Sequence, residues 1–357
     1  MAVQGFRSIL GHRDVIRHLQ TAAACGRAAH AYLITGDEGS GKRTIAEAFA
    51  ETLLCERASL RAEELQKKAA EGAELKDEEI AGVDACMECL SCRKAADRNH
   101  PDILYVTHEK PNVITVGEIR EQLVRTVEIL PYESRYKIYI VPEADKMNEQ
   151  AQNALLKTIE EPPGYAVILL LASNPELILP TIHSRCVTLS LLPLRDREVE
   201  DYLRRELHLP DYEAHVVASF AQGSIGRALY AAEDEGFKAR RTKTFGLIRA
   251  LKGMDTAAMA EAVRLMKEDR AKIDDVFDLM LMWYRDVLLF KATKEIDQLI
   301  FSNEISEIRE QAKSASYEGL QEAVAAIGRC RVRLGANVNF ELAVELMLTA
   351  IKENCNA

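Results

Sequence analysis

The chain has 357 residues, more than one ordinary domain holds, so length alone suggests two or three domains. Hydrophobic residues make up 48% and charged residues 29%, a globular balance that excludes wholesale disorder, and no apolar run reaches bilayer-spanning length. A formal net charge of −10 excludes a chain that grips DNA by its own bulk electrostatics, while leaving room for a local basic surface or contact shared with partner subunits.

Residues 1–10 lack the charged-then-apolar layout of a secretory signal, so a cytoplasmic location is the expectation, with no membrane partner. Eight cysteines in such a compartment do not read as a disulfide framework. The first half alternates short apolar runs with helical patterns. Residues 31–35, 102–106, 137–141, 167–171 and 187–191 predict buried strands, and 42–54, 117–129 and 147–160 predict helices. That alternation predicts a parallel sheet with helices on both faces.

Between the first strand and its helix stands Gly36-Asp37-Glu38-Gly39-Ser40-Gly41-Lys42, a phosphate-binding loop in its proper context. Glycines turn backbone N–H groups inward, the helix N-terminus adds partial positive charge, and Lys42 adds a full one. The next position should carry a hydroxyl for Mg²⁺. It holds Arg43, with Thr44 one place late and rotated by about 100° on the helix. The strand at 137–141 then runs into Pro142 where an active ATPase places a Mg²⁺-binding Asp, leaving only Glu143. Both changes predict weak or absent binding of ATP and Mg²⁺ in this chain's own site; a slow ATPase that tolerates them is the other reading.

Residues 56–84 are dense in Glu, Lys, Arg and Ala and read as a solvated helix or hairpin inserted between two functional elements. Directly after it, Cys86, Cys89 and Cys92 put three thiolates in one short loop. Zn²⁺ and an iron–sulfur cluster both accept such ligands; the further Cys-Pro of the ferredoxin spacing is absent, which favours zinc. Cys25, Cys186, Cys330 and Cys355 stand alone. Beyond about residue 192 the strand signal stops. A helical stretch runs to about 234, a charged joint covers 234–243, and helices fill 244–353, where Val276, Leu279, Met280, Trp283 and Val287 form a core-facing stripe.

Several segments carry a more specific signal. Gln152-Asn153-Ala154-Leu155-Leu156-Lys157-Thr158-Ile159-Glu160-Glu161-Pro162-Pro163 resembles the signature helix and turn of the bacterial clamp-loader subunits of DNA polymerase III, which are AAA+ proteins. Ser173-Asn174-Pro175, Leu179-Pro180-Thr181-Ile182-His183-Ser184-Arg185-Cys186 and His30-Ala31-Tyr32-Leu33 are similar to the same family. The resemblance covers 6–55 and 86–192 closely and the following helices more loosely. It implies α/β plus all-α architecture: a P-loop core over 1–192 with a zinc module inserted at 55–92, a helical lid over 193–240, and an oligomerising collar over 241–357, where 337–342 is similar.

Within this family the tau or gamma ATPase keeps its loop and acidic strand end, whereas the delta-prime type has damaged ones, so Arg43 and Pro142 place this chain nearer delta-prime. The resemblance then implies an accessory subunit of the DNA polymerase holoenzyme, without ATPase of its own, that helps load the sliding clamp on primed DNA. Implied partners are tau/gamma, delta, the clamp and primer–template DNA. A tau/gamma-like subunit with its own ATPase is the alternative. Arg185 would act in trans as an arginine finger, its forked, delocalised charge stabilising negative charge on a neighbour's phosphoryl oxygens. Asn174 falls where relatives place a γ-phosphate sensor, and Arg227 resembles, one place late, the lid's sensing arginine. The family supplies a fourth thiolate from the end of the preceding helix, a role Cys55 fits, making Cys55, Cys86, Cys89 and Cys92 a closed structural zinc site.

Overall fold

The computed structural model describes residues 5–355. They divide into two units, the first running to Glu198 and including Gly223–Gly226, the second comprising Val199–Gln222 and the chain from Arg227 onward.

In the first unit, β1 (Ala31–Thr35), β2 (Ile103–Tyr105), β3 (Lys137–Val141), β4 (Ala166–Ala172) and β5 (Val187–Ser190) form one sheet in the order β2-β3-β4-β1-β5. Every pairing is parallel. All positions of β1, β3 and β4 are buried, as continuous apolar strands covered on both faces require. One face packs α1 (Arg13–Ala24) and α2 (Lys42–Leu54) around Leu19, Tyr32, Ile34 and Phe49. The other carries α6 (Val116–Ile119), α7 (Glu149–Glu160) and α8 (Pro180–His183) over Leu33, Val141, Leu155 and Leu170. The five expected strands and the α2 and α7 helices therefore stand within two residues of their sequence positions.

Three expectations change. Residues 117–129 do not form one helix: α6 begins with a Thr115–Glu118 capping box and passes into a π-turn at Arg120–Val124, where Arg125 N–H donates to Arg120 O at 2.9 Å. Ile119, Leu123 and Val127 nevertheless keep one buried apolar face. The charged insertion is not merely solvated. It forms α3 (Glu56–Ala70) and α4 (Asp77–Ala81), and Ala58, Ala62, Leu65, Ile80 and Val83 are buried together with Cys55 and Cys92. A short helix, α5 (Leu90–Ala96), completes this subassembly.

The second unit is helical throughout its described residues: α9 (Asp196–Leu207, whose first turn belongs to the first unit), α10 (Asp211–Ala221), α11 (Ile225–Glu233, entered from the first unit), α12 (Glu235–Ala250), α13 (Thr256–Glu268), α14 (Ile273–Thr293), α15 (Ile305–Ser314), α16 (Tyr317–Gly335) and α17 (Phe340–Cys355). The expected joint at 234–243 lies inside α12. Asp234 caps that helix by accepting from Gly236 N–H, and Arg240 turns inward to Asp234, Asp269 and Asp275 at 3.3, 3.2 and 3.4 Å. Three carboxylates around one guanidinium make a charged segment compatible with a packed helix. The α14 stripe is buried, with the Trp283 ring tilted against Phe245 and Phe301. Among the described residues no helix is long and apolar enough to cross a membrane.

Candidate functional site: a phosphate loop, an outward arginine and a four-cysteine centre

The loop between β1 and α2 needs its glycines: Gly39 and Gly41 adopt φ of 74° and 95°, where a side chain would be strained, and a Cβ at Gly36 would lie 2.9 Å from Leu191 O. Lys42 Nζ bonds within its own chain, to Gly36 O at 2.6 Å, Asp37 O at 2.8 Å and Ser173 Oγ at 3.0 Å. Burial pushes its pKa below the ordinary lysine range, against the opposing pull of Asp145, Asp37 and Glu38. Asp145 in turn accepts from the Ser173 and Asn174 N–H groups, each at 3.2 Å. Neither Ser173 nor Asp145 stood out as a partner of Lys42 in the sequence, because the first is 131 residues away and the second lies past the expected strand-end position.

The residues where magnesium ligands belong point elsewhere. Arg43 Nε pairs with Glu47 at 2.9 Å, and its guanidinium lies 5.3 Å from the Tyr105 ring centre. Thr44 is half-buried on the first turn of α2. Pro142 follows β3 directly, and Glu143, held in the left-handed region at φ 52°, bonds to Lys146 Nζ at 2.5 Å and to His108 Nε2 at 3.1 Å. The Lys146 bond, ahead of the one with His108, holds the Glu143 carboxyl below its usual range. Asn174 is near Asp145 through its backbone, but its side-chain oxygen caps the turn at Pro175–Leu177 by accepting from Glu176 N–H. A hydroxyl and a carboxylate arranged for a divalent cation are thus not presented by Arg43 and Pro142.

Gly223–Gly226 lies against the same loop. Ser224 Oγ donates to Glu38 O at 3.0 Å, and Gly226 N–H donates to Gly39 O at 2.9 Å. Arg227, the next residue, belongs to the second unit and bonds to Asp278 at 2.7 Å.

Arg185 is exposed just before β5. Its Nε pairs with Glu160 Oε1 at 2.7 Å, and Nη1 donates to Thr181 O at 3.0 Å and Ser184 Oγ at 3.1 Å. In the parallel register Val187, the first residue of β5, sits beside Tyr32 near the start of β1, and Arg185 lies in the turn two residues before it. Gly36 follows the other end of β1, four residues beyond Tyr32 and roughly 13 Å from it at the strand rise. An arginine side chain does not bridge that separation, so Arg185 is remote from its own phosphate loop.

The ligand atoms of Cys55, Cys86, Cys89 and Cys92 all lie within 4.8 Å of one another. Cys55 lies between α2 and α3, and the hairpin of α3 and α4 brings Cys86 back to it, so the thirty intervening residues are a folded detour. Backbone N–H groups aim at the sulfurs: Ala58 and Cys86 at Cys55, Cys89 at Cys86, Cys92 at Cys89, over 3.3–3.5 Å. A hydrogen bond from Cys92 is the main influence pulling the Cys55 thiol down to about 4, and the same bond drives Cys92 upward; burial chiefly raises Cys89. Tetrahedral zinc with sulfur at about 2.3 Å needs sulfurs about 3.8 Å apart. Cys86 and Cys92 stand at 4.0 Å, and the donor set of four thiolates with N–H support fits that ion.

Comparison with known proteins bears on the whole chain. The family model described as DNA polymerase III, delta subunit matches residues 11–195, and one described as DNA polymerase III, delta subunit, C terminal matches 235–353. DNA polymerase III subunit delta' of Pseudomonas aeruginosa is 31% identical over 278 residues, covering 77% of this chain and 76% of its own. That of Bacillus subtilis is 26% identical over 344 residues, covering 95% of each. The gamma subunit of Buchnera aphidicola from Schizaphis graminum is 23% identical over 369 residues, covering 97% and 94%. With a parallel P-loop sheet, a helical second unit and matches along nearly its whole length, the chain belongs to the clamp-loader subunit family of DNA polymerase III, similar to its delta-prime and its tau/gamma members.

Proposed function

We propose that this chain is the delta-prime-like subunit of a cytoplasmic clamp loader, hydrolysing no ATP itself and lending Arg185 to the ATP site of a neighbouring tau/gamma subunit. With delta it would help open the sliding clamp and place it on primer–template DNA. The observation that carries this reading is the placement of Arg185 just before β5, exposed and at the end of the sheet opposite the phosphate loop. A guanidinium there would serve a phosphate held by another subunit, where its charge would stabilise the transferring group.

The condition of the chain's own loop supports the same reading. Arg43 is drawn to Glu47, and Pro142 offers no carboxylate. Under this proposal residues 1–192 form the core, 193–240 the lid and 241–357 the collar, while Cys55, Cys86, Cys89 and Cys92 hold a structural zinc that ties the inserted hairpin to α2. The tau/gamma-like alternative keeps one argument, the Asp145 carboxylate whose charge acts on Lys42. Assaying the purified chain alone with ATP and Mg²⁺ separates them: delta-prime character predicts no turnover above a Lys42→Ala control, and Lys42-dependent turnover would establish the alternative.

A further inference from the structure

We infer that Glu160 is the positioning residue for Arg185, holding the guanidinium by its Nε edge so that Nη2 is left for an anionic oxygen of the neighbouring subunit. This deepens the trans reading above and rests on it; what it adds is the group that sets the finger's orientation.

Arg185 is gripped on two sides. Glu160 Oε1 forms an ion pair with Nε at 2.7 Å, while Thr181 O and Ser184 Oγ accept hydrogen bonds from Nη1 at 3.0 and 3.1 Å. Nη2 donates no hydrogen bond to a described residue. Both supports are anchored. Glu160 ends α7, whose Leu155 and Ile159 are buried, and Pro162 and Pro163 stiffen the chain that follows Glu161. Thr181 lies on α8, fixed by the fully buried Ile182.

An arginine carries several rotatable bonds, and a free one would have to be ordered each time it met a phosphate. Here the ordering is done beforehand by elements of the folded subunit. The Arg185 and Glu160 side chains are 38% and 45% exposed, so the pair adds little to folding stability. Its consequence is expected in the rate. The contact is an ion pair without a hydrogen bond along Nε–H, so Glu160 acts on the guanidinium through its charge.

The test uses the clamp loader reconstituted with tau/gamma-type and delta-type partners, with ATP turnover measured in the presence of clamp and primed DNA. Glu160→Ala is expected to lower kcat about tenfold or more with the KM for ATP unchanged, because misdirection of a catalytic group costs rate. Glu160→Gln, which keeps the shape and removes the charge, should lose most of the same rate, and Glu160→Ala should change nothing further in an Arg185→Ala background. Unchanged melting of the isolated chain and normal assembly would accompany this pattern. If Arg185→Ala lowers turnover but Glu160→Ala does not, the positioning role is overturned while the finger stands. An equal loss from Glu160→Ala with and without Arg185 would also overturn it, since Glu160 would then act elsewhere. No effect of Arg185→Ala itself would remove the trans reading and this inference together.

Discussion

Gly226 N–H donates to Gly39 O at 2.9 Å, and a Cβ on Gly226 would fall 2.8 Å from Gly39 Cα. The contact is backbone against backbone, so no flexible side-chain end can yield. Gly226→Ala should therefore displace the phosphate loop at a cost of about 1–3 kcal/mol, read as a lower melting temperature. Amide exchange should quicken at residues 36–42. Gly246→Ala is the matched control: nothing lies within 4 Å of its would-be Cβ, in the interior of α12, and it should be neutral or slightly stabilising.

Chelation of the four-cysteine centre tests its composition. Metal analysis of the purified chain should find about one zinc, and removing it should loosen α3 to α5 while leaving the sheet folded, because structural zinc supplies folding energy locally. Limited proteolysis would then cut within residues 56–96. Cys92→Ser should reproduce this, since Cys92 is wholly buried in the centre. A chain free of metal yet resistant to proteolysis there would contradict it.

Stability should also depend on pH through Glu51, which is 4% exposed with Oε2 unpartnered. Burial raises its pKa from the ordinary 4.5 to about 8; the Gly5 N–H works against this, and the carboxylates of Glu47 and Asp84 reinforce it. A folded pKa above the unfolded one means the contribution is full below about 4.5 and is lost as pH rises through about 8. Glu51→Gln cannot ionise. Its melting temperature should gain on the wild type steadily from about pH 5 to about pH 8, and parallel profiles would refute the assignment.

Much of this was legible in the sequence, for physical reasons. Strands buried on both faces must be apolar at every position, so 31–35 and 137–141 announced themselves. The phosphate loop and the triple cysteine spacing are local patterns that need no fold to be seen. What stayed hidden depends on distant pairing. Ser173 reaches Lys42 across 131 residues, and Glu160 meets Arg185 only because α7 and α8 pack on one face of the sheet. The buried face of the inserted hairpin was concealed differently: Ala58, Ala62 and Leu65 form a thin buried stripe inside a segment whose charge density dominates its composition. At 234–243 the charges read as a joint because the three carboxylates that neutralise Arg240 are spread over three parts of the chain.

The most direct measurement is ATP turnover by the reconstituted clamp loader carrying this subunit as wild type, Lys42→Ala or Arg185→Ala. The account predicts that Lys42→Ala leaves the rate intact and that Arg185→Ala removes roughly 10³-fold or more from the site it serves. Loss of turnover with Lys42→Ala and none with Arg185→Ala would contradict it.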